Sequence, residues 1–517
     1  RSFTKPTMIL VLVLVLAVSA VYFYYVYESL YWKRRGLPYV PGSLALGNAK
    51  DLVKKNDPRT MKYREWTKLY GKTYGMKEGV RNLLVTSDLN IVNEVFVKQF
   101  DNFYGRKAGF LFTDPDKNPR VHLFLARGAR WKRLRAVSSP SFSTNSLKKI
   151  RPTVEDSALT LVRLMKERHE GGDVFNIHRY YMEYTMDIIA RLVLGQKESR
   201  FFSNPMVETL QNSFLRNFDT PLVLANLAVP WLQPLLKLYL NKMGGPLVKY
   251  HRQLQSQIEA LIVERIKQRE ALPEGETKEA EDFIDLFLDS SADDTLLQNT
   301  EEFKLHNVQV SKKMTVDEVI GEAEVFLAAG FDTTSNALGY TSWMLAKYPD
   351  IQQKCFEEIQ ELCTEESLSY DDLSKLRYVE ATCKETLRFY PLGGLANARR
   401  CMRSTELCGM KIEEGTGVQV DTVSLHFDKD IWGEDTDEFK PERWLDPSRR
   451  VHPCAYIPFG AGPRICIGMR LAMMEEKMAL VHVLRQFRIV KEAEDLRLHG
   501  TLTLCPVEVP VRIVPRN

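Results

Sequence analysis

No two of the eight cysteines stand in a CxxC pair, so a structural zinc site has little support. Cys355, Cys363, Cys383, Cys401, Cys408, Cys454, Cys466 and Cys505 are too few in a chain of 517 residues to read as a disulfide framework. Their usage predicts a reducing, cytosolic environment for the main domain. A large charge of one sign is lacking too. The net charge of +4 is too small for a dedicated nucleic-acid binder. There are no internal repeats and no low-complexity block. With 44% apolar and 27% charged residues, the composition argues for a folded chain and against disorder. Typical domain lengths would divide it into about three domains.

One stretch lacks charge altogether. Met8 to Tyr27, MILVLVLVLAVSAVYFYYVY, runs 20 residues without a charged side chain. As a helix it spans roughly 30 Å, the thickness of a bilayer core. Its eleven Leu, Ile and Val residues favour insertion by a sum on the order of 5 kcal/mol. The aromatic run Tyr22-Phe23-Tyr24-Tyr25 suits a membrane–water interface, and Lys33-Arg34-Arg35 just beyond it favours a cytosolic main domain. Val18-Ser19-Ala20 loosely resembles a signal-peptide cleavage site, but the apolar run continues past it. The expectation is a membrane anchor over residues 1–35.

Gly36-Leu37-Pro38-Tyr39-Val40-Pro41-Gly42 follows, and its prolines exclude helix. Residues 36–50 read as a stiff linker, leaving 51–517 as the main domain. Residues 51–270 carry apolar positions at helical spacing, interrupted by a strand-like Leu83-Leu84-Val85-Thr86. Residues 271–306 are polar and acidic and suit a surface loop around a short apolar turn. Thr315 and Glu318 form a capping box at the start of a helix reaching Lys347, about 50 Å long. A second helix is expected from Asp371 to Phe389, ended by Tyr390-Pro391. Short strands and turns are expected over 395–425, a last helix from near Gly468, and a closing β-ribbon over 496–514.

The most unusual stretch is Pro458-Phe459-Gly460-Ala461-Gly462-Pro463-Arg464-Ile465-Cys466-Ile467-Gly468, with a helix-like sequence directly after it. A free thiol is only a few per cent ionised at neutral pH. A helix N-terminus stabilises a thiolate through unsatisfied N–H groups and the macrodipole. Gly462 and Gly468 let the backbone approach whatever the sulfur holds, and Arg464 puts a cation two residues away. A lone thiolate is wrong for zinc or an iron–sulfur cluster and right for the axial ligand of a haem iron.

Phe459-x-x-Gly462-x-Arg464-x-Cys466-x-Gly468 resembles the haem-binding signature of the cytochrome P-450 family, the haem-thiolate monooxygenases. An inert buried cysteine after a turn is the bland alternative. Ala329-Gly330-Phe331-Asp332-Thr333-Thr334 lies in the middle of the long helix, where Gly costs helix propensity. Ala329 and Thr333 share a face, so a cofactor there would meet a small residue and a hydroxyl, with Asp332 nearby. In isolation this reads as a kinked core helix. Beside Cys466 it resembles the family's oxygen-activation motif, with Thr333 the alcohol and Asp332 its acidic neighbour.

Glu385 and Arg388 are helical neighbours, and Arg443 in Pro441-Glu442-Arg443-Trp444 can share the carboxylate. The resemblance makes these three a structural triad beneath the haem. Trp131 and Arg135 lie on one helical face and can hold a carboxylate. Alone they read as a basic surface helix; the resemblance implies a haem-propionate pair. It also implies a third propionate arginine, assigned to Arg399 with Arg400 as the alternative. The five basic residues of RGARWKRLR, 127–135, form an expected docking patch for an acidic electron donor, a solvated face being the plainer reading.

The resemblance covers nearly the whole chain. It implies a mainly α fold with a small β region, the cytochrome P-450 fold, preceded by one N-terminal transmembrane helix. It implies haem b held by Cys466, and insertion of one oxygen atom from O2 into a lipophilic small molecule. NADPH electrons would come from a flavoprotein reductase, with cytochrome b5 a further donor, at the endoplasmic reticulum membrane. The style is closest to the animal clan that oxidises drugs and steroids. Expected substrate-lining segments are Tyr104 to Phe124, Phe201 to Leu240, Phe326 to Thr333 and Leu392 to Ala396. Residues 222–240 read equally as a membrane-dipping segment or a buried helix pair. The rival functions are a haem-thiolate isomerase or dehydratase, and a non-enzymatic haem sensor or carrier.

Overall fold

The axis of the structure, a computed structural model, is the helix Val316–Lys347. The description covers residues 5–107, 114–169, 171–243, 245–273, 279–290, 303–500 and 502–516. The expected capping box starts this helix: the Thr315 hydroxyl accepts from Glu318 N at 3.2 Å, and the Glu318 carboxylate accepts from Thr315 N at 3.0 Å. That carboxylate is fully buried and has further partners. Arg130 Nε and Arg133 Nη2 both donate to its Oε1 at 2.7 Å, so one side chain caps the long helix and ties helix Gly128–Ser138 to it.

Helix Ile177–Leu194 lies along the long helix. A side chain at Gly330 would bring its Cβ within 2.8 Å of Ile189, so glycine there sets how closely the two can pack. Thr185 Oγ1 donates to Phe331 O at 2.9 Å, and Tyr181 and Ser342 share a hydroxyl–hydroxyl bond of 2.7 Å. Helix Met469–Gln486 packs against the other side, completing the main apolar core.

Among the described residues, eleven short strands make up the β part. The main sheet has the order β1 (Thr73–Glu78), β2 (Arg81–Thr86), β7 (Gly417–Val420) and β4 (Ala398–Arg400), with β2 and β7 parallel. A second sheet joins β3 (Phe175–Asn176), β11 (Pro510–Pro515) and β8 (Phe487–Lys491). Two hairpins, β5 (Thr405–Leu407) with β6 (Met410–Ile412) and β9 (Leu498–His499) with β10 (Cys505–Pro506), complete the set. The expected ribbon over 496–514 is thus split between the β9–β10 hairpin and β11.

Three expectations need correction. Residues 371–389 form two helices, Tyr370–Lys375 and Arg377–Phe389, broken at Leu376. The restart has its own cap: the Glu358 carboxylate accepts from Tyr378 N at 2.7 Å and Val379 N at 2.9 Å, satisfying donors that a helix start leaves open. The apolar turn expected inside 271–306 is a buried helix, Phe283–Asp289, whose N-cap Asp282 accepts from Asp285 N; residues 274–278 and 291–302 lie outside the description. Residues 36–50 are no free-standing spacer. Val40 N donates to Gly75 O and Gly75 N to Pro38 O, so the proline segment runs along β1 as an added edge.

The N-terminal helix Lys5–Ser29 contains the apolar span Met8–Ser29, with mean hydropathy 2.6. Among the described residues it alone is long and apolar enough to cross a membrane. Its side chains are mostly exposed until its end, where Tyr25 OH donates to Ala228 O at 2.6 Å and Glu28 pairs with Lys77 at 3.1 Å.

Replacing Glu318 by Ala leaves Arg130 and Arg133 buried without their counter-charge. The expected cost is on the order of 3–5 kcal/mol, read as a clearly lower thermal midpoint at fixed scan rate. A midpoint within a degree of wild type would contradict the role assigned to Glu318.

Candidate active site

The cysteine loop is built so that only glycine fits at its centre. Gly462 has φ +65°, and a Cβ there would lie 1.9 Å from Phe96 O. Cys466 N donates to Phe459 O at 2.8 Å, which closes the loop and aims the sulfur into a cavity. The surface that Cys466 exposes faces this cavity, because the thiol is otherwise enclosed by protein. Burial pushes the thiol pKa up, against the Gly468 and Met469 N–H groups and the Arg135 and Arg106 charges, which pull it down. Such a sulfur becomes an anion readily only beside a bound cation.

The cavity lies between the long helix and the cysteine loop. Leu123, Phe124, Phe326, Ala329, Thr333 and Leu392 are among its lining residues. Trp131, Arg135, Phe459, Arg464 and Gly468 also reach it. A Cβ at Gly468 would meet only Phe142, at 3.6 Å, so its openness is toward the cavity. Of the expected lining segments, 104–124, 326–333 and 392–396 contribute, though 108–113 lie outside the description. No described residue of 201–240 lines it.

At one rim sits a cluster of guanidinium groups. Arg464 stacks on the Trp131 ring at 4.7 Å, with Arg106, Arg399, Arg127 and Arg135 as charged neighbours. Burial, then mutual repulsion, holds Arg464 and Arg399 well below the usual arginine range, and burial brings Arg106 down to about 10. Arg135 Nη1 donates to Ile465 O at 2.8 Å, and Arg106 donates to Ala396 O. The Nε groups of Arg106, Arg399 and Arg464 are buried with no acceptor. No carboxylate pairs with Arg106, Arg135, Arg399 or Arg464 among the described residues. Buried, unpaired cations of this density call for a multiply charged anion. A haem, with two propionates and a central iron, fits both the cluster and the thiol.

The two arginines of β4 separate by strand alternation. Arg399 is 1% exposed, lies 4.1 Å over the Phe96 ring and belongs to the cluster. Arg400 turns to a different, polar cavity with Glu78, Arg81 and Lys107. Sequence reasoning put Arg106 only inside an expected substrate-lining segment and missed its place in the arginine cluster; in Tyr104-Gly105-Arg106-Lys107 no spacing marks it.

The basic stretch 127–135 is not a docking patch. Arg130 and Arg133 are spent on Glu318, Lys132 donates to Leu305 O and Val308 O, Arg127 pairs with Asp114 and Asp116, and Arg135 faces the cavity. The fragment's charges knit loops to the long helix instead of meeting solvent.

Thr333 faces the cavity and its hydroxyl donates to Ala329 O at 2.8 Å. Asp332 does not line the cavity. Its Oδ2 accepts from Thr503 at 2.6 Å and from Asn336 at 3.1 Å, on the far side of the helix. Burial pushes its pKa up to about 6, against these donors. Glu385, Arg388 and Arg443 come together away from the cavity: Glu385 accepts from Arg388 at 2.9 and 3.0 Å, Arg443 at 2.8 Å, Trp444 Nε1 at 2.9 Å and Lys440 N at 3.0 Å.

A single buried thiol at a helix mouth, opposite a hydroxyl-bearing helix and beneath uncompensated arginines, defines a haem-thiolate protein. The family profile "Cytochrome P450" matches residues 38–505, and the chain belongs to that family. Its members are oxidoreductases, monooxygenases that use haem with a cysteine thiolate as axial ligand. Among its relatives are two Caenorhabditis elegans proteins named as putative cytochromes P450. CYP13A1 is 43% identical over 507 residues, 96% of this chain and 97% of that protein. CYP13A10 is 43% identical over 502 residues, 95% of this chain and 96% of that protein.

Asp332 binds its proton more tightly folded (about 6) than unfolded (3.8). Its stabilising contribution is therefore complete below about pH 4 and lost as pH rises through 6. Measured against Asp332→Asn, wild type should lose on the order of 2–3 kcal/mol of stability between those pH values. A constant difference across the range would show the carboxyl unshifted.

Proposed function

We propose that this chain is a membrane-anchored haem-thiolate monooxygenase. It inserts one oxygen atom from O2 into a lipophilic small molecule, and NADPH electrons from a flavoprotein reductase, with cytochrome b5 a further donor, reduce the other atom to water with two protons. Residues 1–35 are the anchor and 51–517 the catalytic body, facing the cytosol at the endoplasmic reticulum membrane. The observation that carries this reading is the buried Cys466 thiol facing Thr333 across an apolar cavity rimmed by unpaired arginines.

Cys466 Sγ would hold the haem iron, its negative charge supported by the Gly468 and Met469 N–H groups. Trp131, Arg106, Arg135, Arg399 and Arg464 would hold the propionates, Phe459, Gly468 and Ala329 would leave room for the ring, and Gly462 would shape the loop that presents the sulfur. When bound, haem b supplies the redox chemistry of O2 activation. Leu123, Phe124, Phe326 and Leu392 bind the apolar substrate and exclude water, which strengthens every electrostatic interaction inside. Thr333 presents a hydroxyl to the reacting face, and Asp332 is the acid that replenishes its proton. Glu385, Arg388 and Arg443 fix the wall behind the cavity.

The apolar span Met8–Ser29 supports anchoring. Exposed Trp231, Leu235, Leu238 and Tyr239 support the membrane-dipping reading of 222–240. The Tyr25–Ala228 hydrogen bond sets that segment beside the anchor's end, so lipid-dissolved substrate would meet the protein there.

Cys466→Ser should abolish the thiolate-type haem spectrum; retention of that spectrum would overturn the reading. Thr333→Ala should keep the haem and divert NADPH electrons from product to hydrogen peroxide. Product formation, assayed with a lipophilic compound that shifts the haem absorption band, should fall on the order of 10²-fold. Unchanged coupling would remove Thr333 from the mechanism.

A further inference from the structure

The network around Asp332 extends to the β9–β10 turn, which no part of the reaction so far uses. Thr503 makes the shortest bond to the carboxyl, at 2.6 Å. Cys505 Sγ lies 3.2 Å from the Thr503 hydroxyl, 3.3 Å from Asn336 Nδ2 and 3.9 Å from Asp332 Oδ1. Asn336 and Cys505 are buried, whereas Thr503 is partly exposed, so it is the one member of the group that reaches the surface. The turn is fixed at both ends. Gly500 N donates to Lys55 O at 2.9 Å, and Leu504 N donates at 3.2 Å to the carbonyl of Leu392, a cavity-lining residue.

We infer that Thr503 is the positioning residue for the Asp332 carboxyl, holding it on the far side of the long helix and linking its protonation to the surface turn. The inference rests on the reading of Asp332 and Thr333 as the proton-handling pair. A hydroxyl suits this post because it donates to the ionised carboxylate and accepts from the protonated acid, so the bond persists in both states. The proton exchanged at Oδ2 comes from solvent at the turn. To serve the cavity, the carboxyl must leave this hold.

Among the described residues no cation bonds the carboxyl, Lys55 lying instead beside His499. The titratable groups facing the network are His178 from helix Ile177–Leu194, His499 on β9, Cys505 on β10, Tyr340 on the long helix, and Tyr390, stacked on Tyr340 at 4.3 Å. Burial brings both histidines down to about 4 and pushes Cys505, Tyr340 and Tyr390 up. All five are therefore neutral between pH 6 and 8, and three uncharged donors alone orient the acid. Removing the shortest of them takes most from the ionised form.

The test uses the full-length holoprotein in detergent, with the Asp332 carboxyl band assigned in the infrared by difference from Asp332→Asn. In Thr503→Val the midpoint of that band should rise by about one pH unit. Thr503→Ser should restore it, and the carbon monoxide difference spectrum should report haem retained in both. Should the valine variant fail to hold haem, Thr503→Ala is read the same way. A midpoint equal to wild type in a folded variant lacking the hydroxyl overturns the inference. The underlying reading fails separately: an unchanged ratio of hydrogen peroxide to NADPH in Asp332→Asn would remove the acid from catalysis while leaving the infrared shift intact.

Discussion

Four enclosed guanidinium groups with no carboxylate to meet them among the described residues are the constraint on which this structure turns. Arg106, Arg135 and Arg464 line the cavity with Arg399 as their charged neighbour, and burial depresses each of the four below the usual arginine range. A chain that gathers such charges is poorly served by its own side chains, since an unpaired ion in a low-dielectric interior is costly. In the same cavity, the Cys466 sulfur has the opposite need, a cation that would let it ionise. Haem answers both at once, with propionates for the arginines and iron for the sulfur. Anything that binds only the folded state stabilises it by mass action. The same residues that define the site therefore couple cofactor binding to the stability of the fold.

Elsewhere the protein shows how it treats charge when no cofactor is expected. Glu385 accepts from Arg388, Arg443, Trp444 and a backbone N–H, so each of its oxygens is satisfied. Arg388 and Arg443 spend their remaining donors on carbonyls such as His426 O and Glu438 O. Glu318 does the same for Arg130 and Arg133 while capping the long helix. These closed networks set geometry, because breaking any member leaves the others uncompensated. The contrast separates frame from site: charges that pair among themselves hold the walls, and charges left open face the ligand.

Local signals were legible in the sequence where a residue's role is fixed by its neighbours in the chain. The capping box of Thr315 and Glu318, the glycine-bounded cysteine loop and the twenty-residue apolar run all lie within short windows, and each took the expected form. What the sequence could not convey was direction. Arg130, Lys132 and Arg133 read as a surface patch, yet partners nearly two hundred residues away turn them inward. Arg106 carries no motif, and only the fold brings it to Arg464. The break at Leu376 depends on Glu358, supplied by a separate helix, Pro349–Leu362. Strand alternation, in contrast, was a local rule that could have separated Arg399 from Arg400 had β4 been recognised.

The long helix also divides two residues that are adjacent in sequence. Successive residues on an α-helix point about 100° apart. Thr333 thus meets the cavity while Asp332 points toward the C-terminal hairpin, and adjacency in a motif is not proximity in a site. Each is engaged where it stands, Thr333 with Ala329 O and Asp332 with Thr503. A hydroxyl whose proton is committed to a backbone carbonyl presents its lone pairs to the cavity, so Thr333 meets the reacting face first as an acceptor. In the proposed proton handling, Thr333 would have to release Ala329 O to donate, and Asp332 would have to turn to replenish it. On that proposal, proton supply would depend on two side-chain rotations and not on movement of the helix backbone.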